Sequence, residues 1–376
     1  CAARHATVTT ATLGNGVMAR SVMVTGGAGF IGANFVYHWV EAHPEDTVVV
    51  LDALTYAGNR LSLENLEQAE CIHFVEGDIC DADLVARVLA DHDIDTIVHF
   101  AAESHVDRSI TGPDAFIRNN LEGTHTLLAA ARGAWLSGSG REHRFHHVST
   151  DEVYGSLAPD DPAFTETTRY KPNSPYSASK AGSDHLVRAY QHTYGLQVTT
   201  SNCSNNYGPY HFPEKLIPLC LTRILDGGVI PVYGDGTNIR DWLYVEDHAR
   251  GIARILEVGT PGEVYNIGGH NEWANLDIVN LLCRVMDARF ASNSALVTRF
   301  PNAPQARGER SESLIEFVTD RAGHDWRYAI DASKIEQTLG FVPNETLETG
   351  LAKTVDWYLS NEEWWRPLLE RAATAR

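Results

Sequence analysis

Gly26-Gly27-Ala28-Gly29-Phe30-Ile31-Gly32 follows a short apolar run, Ser21-Val-Met-Val24, and opens a helix-like segment that reaches about His43. Glycines at this GxxGxxG spacing allow a tight strand-to-helix turn. They also let the backbone approach a pyrophosphate, which then meets the positive end of the helix. The context sharpens the motif. A second strand-like run, Thr47-Val-Val-Val-Leu51, ends at Asp52, the acid expected about 20 residues after the glycines. A carboxylate there accepts hydrogen bonds from ribose hydroxyls and repels an added ribose phosphate. The alternative is a plain glycine turn closed by an Asp cap.

The same alternation continues. Cys71-Ile-His-Phe-Val75, Thr96-Ile-Val-His-Phe100 and Arg144 to Ser149 read as three more strands, with helical stretches over about 82–91 and 114–132 between them. Short β-rich runs separated by helices predict right-handed βαβ units. The expected fold class is α/β, a Rossmann-like doubly wound parallel sheet with a smaller C-terminal substrate-binding lobe. The second half is punctuated by prolines at 209, 213, 218, 231, 261, 301 and 304, with helices near 214–226, 246–257, 275–288 and 346–359. Residues 290–312 read as the longest irregular stretch. Asp78, in the Gly77-Asp78-Ile79 end of the third strand, either contacts an adenine or caps the next helix. Ala101 and Ala102 are small enough for a dinucleotide to run alongside.

Two further patterns carry chemistry. Tyr176-Ser-Ala-Ser-Lys180 puts a phenol and an ammonium on one helical face. A nearby ammonium favours the phenolate, which suits Tyr176 as a base. Ser149-Thr150 ends the fifth strand, so Thr150 can hydrogen-bond the hydroxyl that Tyr176 deprotonates. Asp151 and Glu152 follow at once, at the strand end that faces the ligand crevice of an open α/β sheet. One such carboxyl can stay protonated as an acid while the other works as a base.

Composition narrows the partners. The chain has 376 residues, 43% hydrophobic and 21% charged, with a formal net charge of −19. That balance disfavours polyanions such as nucleic acid or an anionic membrane surface. No run of about 18 apolar residues predicts a membrane span. Residues 1–20 lack the apolar stretch of a signal peptide and read as a flexible tail. The six cysteines form no CxxC pair and no zinc-ligand spacing, and the 17 histidines are scattered, so no metal is expected. Thiols in a reducing compartment follow, and a cytoplasmic location with them.

These residues resemble the extended short-chain dehydrogenases/reductases, and among them most closely the dTDP-glucose 4,6-dehydratases. The likeness runs from about Ser21 to Trp365 through TGGAGFIG, LTYAGN, AAESHVDRSI, STDEVYG, SPYSASKA, NCSNNYGPYHFPEKLIP, RDWLYVEDH, YNIGGHNE and GHDWRYAID. The acidic pair after Thr150 separates dehydratases from otherwise similar sugar 4-epimerases. The resemblance implies a lyase acting on dTDP-glucose, with NAD as cofactor and a homodimer as assembly. Tyr176, helped by Lys180 and Thr150, takes the proton of the sugar C4 hydroxyl while NAD takes the C4 hydride. Glu152 removes the C5 proton, Asp151 protonates the departing C6 hydroxyl, and the hydride returns to C6.

The resemblance also assigns binding residues. Gly26, Gly29, Phe30, Ile31, Gly32, Asp52, Leu54, Thr55, Asp78, Ile79, Ala101, Ala102, Asn119, Tyr176, Lys180 and Asn206 would hold the cofactor. Ser104, Thr150, Asn205, Lys215, Leu216, Pro231, Tyr233, Arg240, Asn275, Arg321 and His324 would hold the substrate, with Lys215, Arg240 and Arg321 facing its diphosphate. Residues 21–200 would form the NAD-binding domain and 201–376 mainly the nucleotide-sugar lobe, some segments returning to the sheet. Ala322 stands where relatives usually carry Pro, and Asn119 where Thr is common. Dehydration of UDP- or CDP-glucose, or a non-catalytic NAD-sensing protein, are the rival readings.

Overall fold

The computed structural model describes residues 19–140, 142–320 and 325–374. Apart from Ala19 and Arg20, the expected tail lies outside the described residues. The chain divides into two compact units. The first takes the chain up to Ser149, then Ser174–Ser201 and Ile252–Val264; the second comprises Thr150–Asn173, Asn202–Gly251 and Tyr265–Arg376.

In chain order the strands are β1 (Ser21–Thr25), β2 (Thr47–Asp52), β3 (His73–Glu76), β4 (Thr96–His99), β5 (Arg144–Thr150), β6 (Val198–Cys203), β7 (Asn205–Tyr207), β8 (Ile230–Tyr233), β9 (Ile239–Tyr244), β10 (Val264–Ile267), β11 (Glu272–Ala274) and β12 (Ile315–Val318). Seven of them form one sheet in the order β10-β6-β5-β4-β1-β2-β3. The pairs β1–β2, β2–β3, β1–β4 and β4–β5 are parallel. The chain winds outward from β1 to β3, then returns to the other side of β1 as β4. That reversal is the topological switch point, where the carboxyl ends of the strands open a crevice. Val22, Met23, Val24, Val48 to Leu51, Ile97 and Val98 are all buried, as strands covered on both faces require.

Helices Phe30–Ala42, Ala82–Asp91, Thr124–Ala134 and Pro175–Tyr194 accompany this sheet. The stretch read as a helix over 114–132 is continuously helical from Pro113, but it widens to a π-helical turn at Ile117–Gly123. Buried Asn120 causes a specific tie there. Its amide bonds both backbone groups of Glu103 and the Ser179 hydroxyl. The first unit's core joins Met23, Val49, Leu51, Ile97, Leu127, Leu128, Trp135, Phe145 and Val187.

The second unit holds a three-stranded sheet, β11-β9-β7, and the two-stranded β12-β8. Its core gathers Ile217, Leu221, Ile224, Ile278, Leu282, Met286, Leu347, Leu351 and Trp365 from helices Leu216–Asp226, Asn275–Ser292, Leu347–Ser360 and Glu362–Thr374. Residues 290–312 are not irregular. The helix runs on to Ser292, and a short one follows at Ala295–Arg299. Leu296, Phe300 and Ala303 are buried and pin this stretch to the core.

Cys80, Cys203, Cys220 and Cys283 carry thiols. Among the described residues no helix is long and apolar enough to cross a membrane, and no group of three or more His, Cys, Asp or Glu could hold a metal ion.

Candidate active site

The glycine turn is built for close approach. Gly26 has φ of +69°, and a Cβ on it would lie 2.6 Å from the Ala101 nitrogen. A Cβ on Gly32 would lie 2.3 Å from the Gly26 carbonyl oxygen. Any side chain at either position would therefore push the turn open. Asp52 closes the turn from β2. The Ala28 N–H donates to Oδ2 at 2.9 Å and the Leu54 N–H to Oδ1 at 2.8 Å. Burial pushes this carboxyl above its ordinary range, against those two bonds. Each oxygen keeps a second lone pair, so capping the turn and accepting from a ribose are compatible. Leu54 holds a left-handed backbone, φ 50°, and Thr55 follows it in the same loop. The cradle and the acid fit a dinucleotide.

Phe30, Ile31 and Gly32 form the first turn of helix Phe30–Ala42, so their N–H groups face the loop. Asp78 is not the cap of the next helix. Asp81 is, accepting from the Leu84 N–H at 3.0 Å. Asp78 instead accepts from the Cys80 N–H and from Arg118. Burial raises its carboxyl, but these partners outweigh it and hold the group low. Ile79 is buried beneath Gly123. Ala101 and Ala102 follow β4, Ser104 is exposed two residues on, and Asn119 sits in the π-helical turn.

Helix Pro175–Tyr194 begins with a Ser174–Ser177 capping box and Pro175. Tyr176 and Lys180 are both buried on it. The Tyr176 ring meets Phe116 edge-on, with centroids 6.3 Å apart. Lys180 Nζ donates to the Val148 carbonyl at 2.8 Å, two residues before the end of β5.

Thr150, the last residue of β5, opens the second unit and caps a short turn, its Oγ1 accepting from the Glu152 N–H at 3.3 Å. Asp151 is buried, and its Oδ2 has no hydrogen-bond partner among the described residues. Burial first, then the charges of Glu152 and Asp241, push its carboxyl well above the ordinary range. Arg240 and the Thr150 hydroxyl oppose this without prevailing. Asp151 therefore holds its proton to a higher pH than an ordinary carboxyl.

Arg240 is itself buried in β9. It donates to the carbonyls of Ile239, Asp325 and Trp326 at 2.7–3.3 Å and stacks over Tyr328 at 4.4 Å. Asn205 and Asn206 lie on β7, beside Trp242 and Leu243 of β9. Lys215 occupies the N-cap of helix Leu216–Asp226, and Asn275 begins helix Asn275–Ser292. Pro231 and Tyr233 lie on β8 against β12. Arg321 and His324, with Ala322, lie outside the described residues.

Sequence reading missed three groups. Asp241 follows Arg240 and is buried against the N–H groups of Gly269 and Asn271. His248 pairs through Nδ1 with Asn206 Oδ1 at 2.9 Å. Asp184, four residues past Lys180, bonds Ser149. The i+4 step from Lys180 was the one available signal.

A doubly wound sheet with a phosphate turn at its switch point, and a Tyr/Lys helix against β5, is the frame of an extended short-chain dehydrogenase/reductase. A family model described as GDP-mannose 4,6 dehydratase matches residues 23–354. A dTDP-glucose 4,6-dehydratase of Escherichia coli is 54% identical, the match covering 93% of this chain and 96% of that one. Two solved structures are similar. The dTDP-glucose 4,6-dehydratase DesIV of Streptomyces venezuelae, with NAD bound, has a TM-score of 0.80 and 48% identity over 93% of this chain and 99% of its own. The dTDP-glucose 4,6-dehydratase of Bacillus anthracis, in complex with NAD, has a TM-score of 0.79 and 43% identity over 93% and 100%. The chain belongs to the dTDP-glucose 4,6-dehydratase family.

Proposed function

We propose that this chain dehydrates dTDP-glucose to dTDP-4-keto-6-deoxy-glucose, as a lyase that uses NAD. The observation that carries the reading is Asp151: a buried carboxyl, kept protonated beside Glu152, directly after the strand that anchors Lys180. A reductase or epimerase has no use for an acid and a base side by side. Elimination of water does, because one group must take a proton as the other gives one.

When bound, NAD would take up the sugar's C4 hydride and give it back at C6, where it completes the 6-deoxy carbon as C5 regains a proton. The turn Gly26–Gly32 would hold its pyrophosphate and Asp52 its adenosine ribose. Tyr176 takes the C4 hydroxyl proton, and the anchored Lys180 and the Thr150 hydroxyl hold that oxygen. The 4-ketone acidifies the C5 hydrogen, which Glu152 removes. Asp151 delivers its proton to the C6 oxygen, which leaves as water. Lys215 and Arg240 would face the diphosphate, and Ser104, Asn205, Pro231, Tyr233 and Asn275 the rest of the nucleotide sugar.

Incubation with dTDP-glucose, followed by NMR of the product, tests the reading. A 4-keto-6-deoxy sugar supports it, and an epimer or unchanged substrate overturns it. UDP- and CDP-glucose run in parallel test the nucleotide preference. The working unit in this reading is a homodimer. Ile110, Ile117, Leu136 and Tyr194 are large apolar side chains exposed on the helices of the first unit, and light scattering of the purified protein decides the matter.

A further inference from the structure

The helix that carries Tyr176 and Lys180 grips β5 at three consecutive residues. Lys180 Nζ takes the Val148 carbonyl. One turn later Asp184, also buried, accepts from Ser149 Oγ at 2.9 Å and stands 3.1 Å from His147 Nε2. Ser183 Oγ lies 3.3 Å from that same nitrogen and donates to the Lys180 carbonyl at 2.8 Å.

These bonds fix the protons. The single Ser183 hydroxyl hydrogen goes to the Lys180 carbonyl, so its oxygen can only accept from His147. The Asp184 carboxylate also only accepts. A hydrogen on His147 Nε2 suits both neighbours. Burial and the charge of Lys180 push its imidazole down to about 4, which leaves it neutral. His147, Ser149 and Asp184 are all buried, and an apolar trio would bury more cheaply than a carboxylate.

We propose that Asp184, through Ser149 and His147, is a positioning residue that sets the height of Tyr176 and Lys180 along β5. Apolar contacts between a helix and a sheet are non-directional and tolerate sliding. Hydrogen bonds do not. With Lys180 and Asp184 one turn apart on the helix, and Val148 and Ser149 adjacent on the strand, the two elements are pinned at two points along their axes. A slip of about 1 Å at a reacting group can cost on the order of a hundredfold in rate, so the pinning acts on turnover before it acts on binding.

The inference rests on the roles given above to Tyr176 and Lys180. Its test compares Ser149→Ala, Asp184→Ala and Asp184→Asn, each assayed per NAD-loaded molecule, with melting temperature and NAD content measured alongside. We expect Ser149→Ala and Asp184→Ala to lose about ten- to a hundredfold in kcat, with KM for dTDP-glucose within about twofold of wild type. Asp184→Asn, whose amide oxygen still accepts from Ser149, recovers part of the loss. Where Asp184→Ala does not fold, Ser149→Ala decides, since it deletes one hydroxyl. A Ser149→Ala enzyme with wild-type kcat per NAD-loaded molecule overturns the proposal, whatever its melting temperature. Failure of the underlying reading is distinct: Lys180→Ala and Tyr176→Phe would then turn over normally.

Discussion

Lys180 and Val148 are joined by a hydrogen bond from an ammonium to a backbone carbonyl, 2.8 Å long and buried. The acceptor is neutral and belongs to the strand. The position of the ammonium is thus set by β5 and not by a mobile carboxylate, and the ring of Tyr176 one turn earlier inherits that placement.

Tyr176→Phe keeps the ring and its edge-on contact with Phe116 while deleting the proton acceptor. We expect NAD to remain bound and C4 oxidation to slow by roughly 10²–10⁴-fold, the scale of a positioned acid/base group. Turnover at the wild-type rate would remove Tyr176 from the chemistry.

Asp151→Asn should trade activity for stability. The unfolded chain gives up the Asp151 proton in the ordinary carboxylate range, whereas the fold holds it to a much higher pH. Between those two values the folded state binds more protons, so stability falls as pH rises. Asn carries no such penalty. The variant should melt higher than wild type at neutral pH, lose that advantage in acid, and form 6-deoxy product about 10²-fold more slowly. A lower melting temperature at neutral pH would mean that the native carboxyl is ionised.

Glu152→Gln separates oxidation from elimination. Gln matches the shape but cannot take the C5 proton. NADH absorbance should build up on adding dTDP-glucose, with little product. Wild type run in D₂O should place deuterium at C5 of the product, and an absence of deuterium there would refute the assignment of a C5 base.

Gly32→Ala tests the phosphate turn. The new methyl would sit 2.3 Å from the Gly26 carbonyl oxygen, so turn and helix must part. The purified variant should carry far less NAD than wild type, while its far-UV circular dichroism stays native. Full NAD occupancy would place the cofactor elsewhere.

The glycine turn, Asp52 and the Thr150-Asp151-Glu152 run were legible because each is local: a few adjacent residues do one job at one strand end. β6 was not. Its centre, Thr199-Thr200-Ser201-Asn202, is polar yet buried, so it lacks the apolar run that marks the other strands, and His146 on β5 bonds Thr199 and Ser201 there. Residues 290–312 misled for the opposite reason. Their apolar anchors, Leu296 and Phe300, are too sparse to show a period, and only the core they enter reveals them. The acidity of Asp151 was legible as a possibility, since paired carboxyls tend to split their affinities. That Asp241, 90 positions away, joins in could come only from the folded chain.

The first unit needs Ile252–Val264, and β10 forms the edge of the large sheet next to β6. A ribosome making this protein must therefore deliver more than two thirds of the chain before the first unit can be completed. By then two of the second unit's three segments, Thr150–Asn173 and Asn202–Gly251, have also emerged. Neither unit exists as a single stretch of gene, so neither can be trimmed off, swapped or duplicated by one cut at each end. Vectorial synthesis, which lets many multidomain chains finish one domain before starting the next, gives this one no such head start.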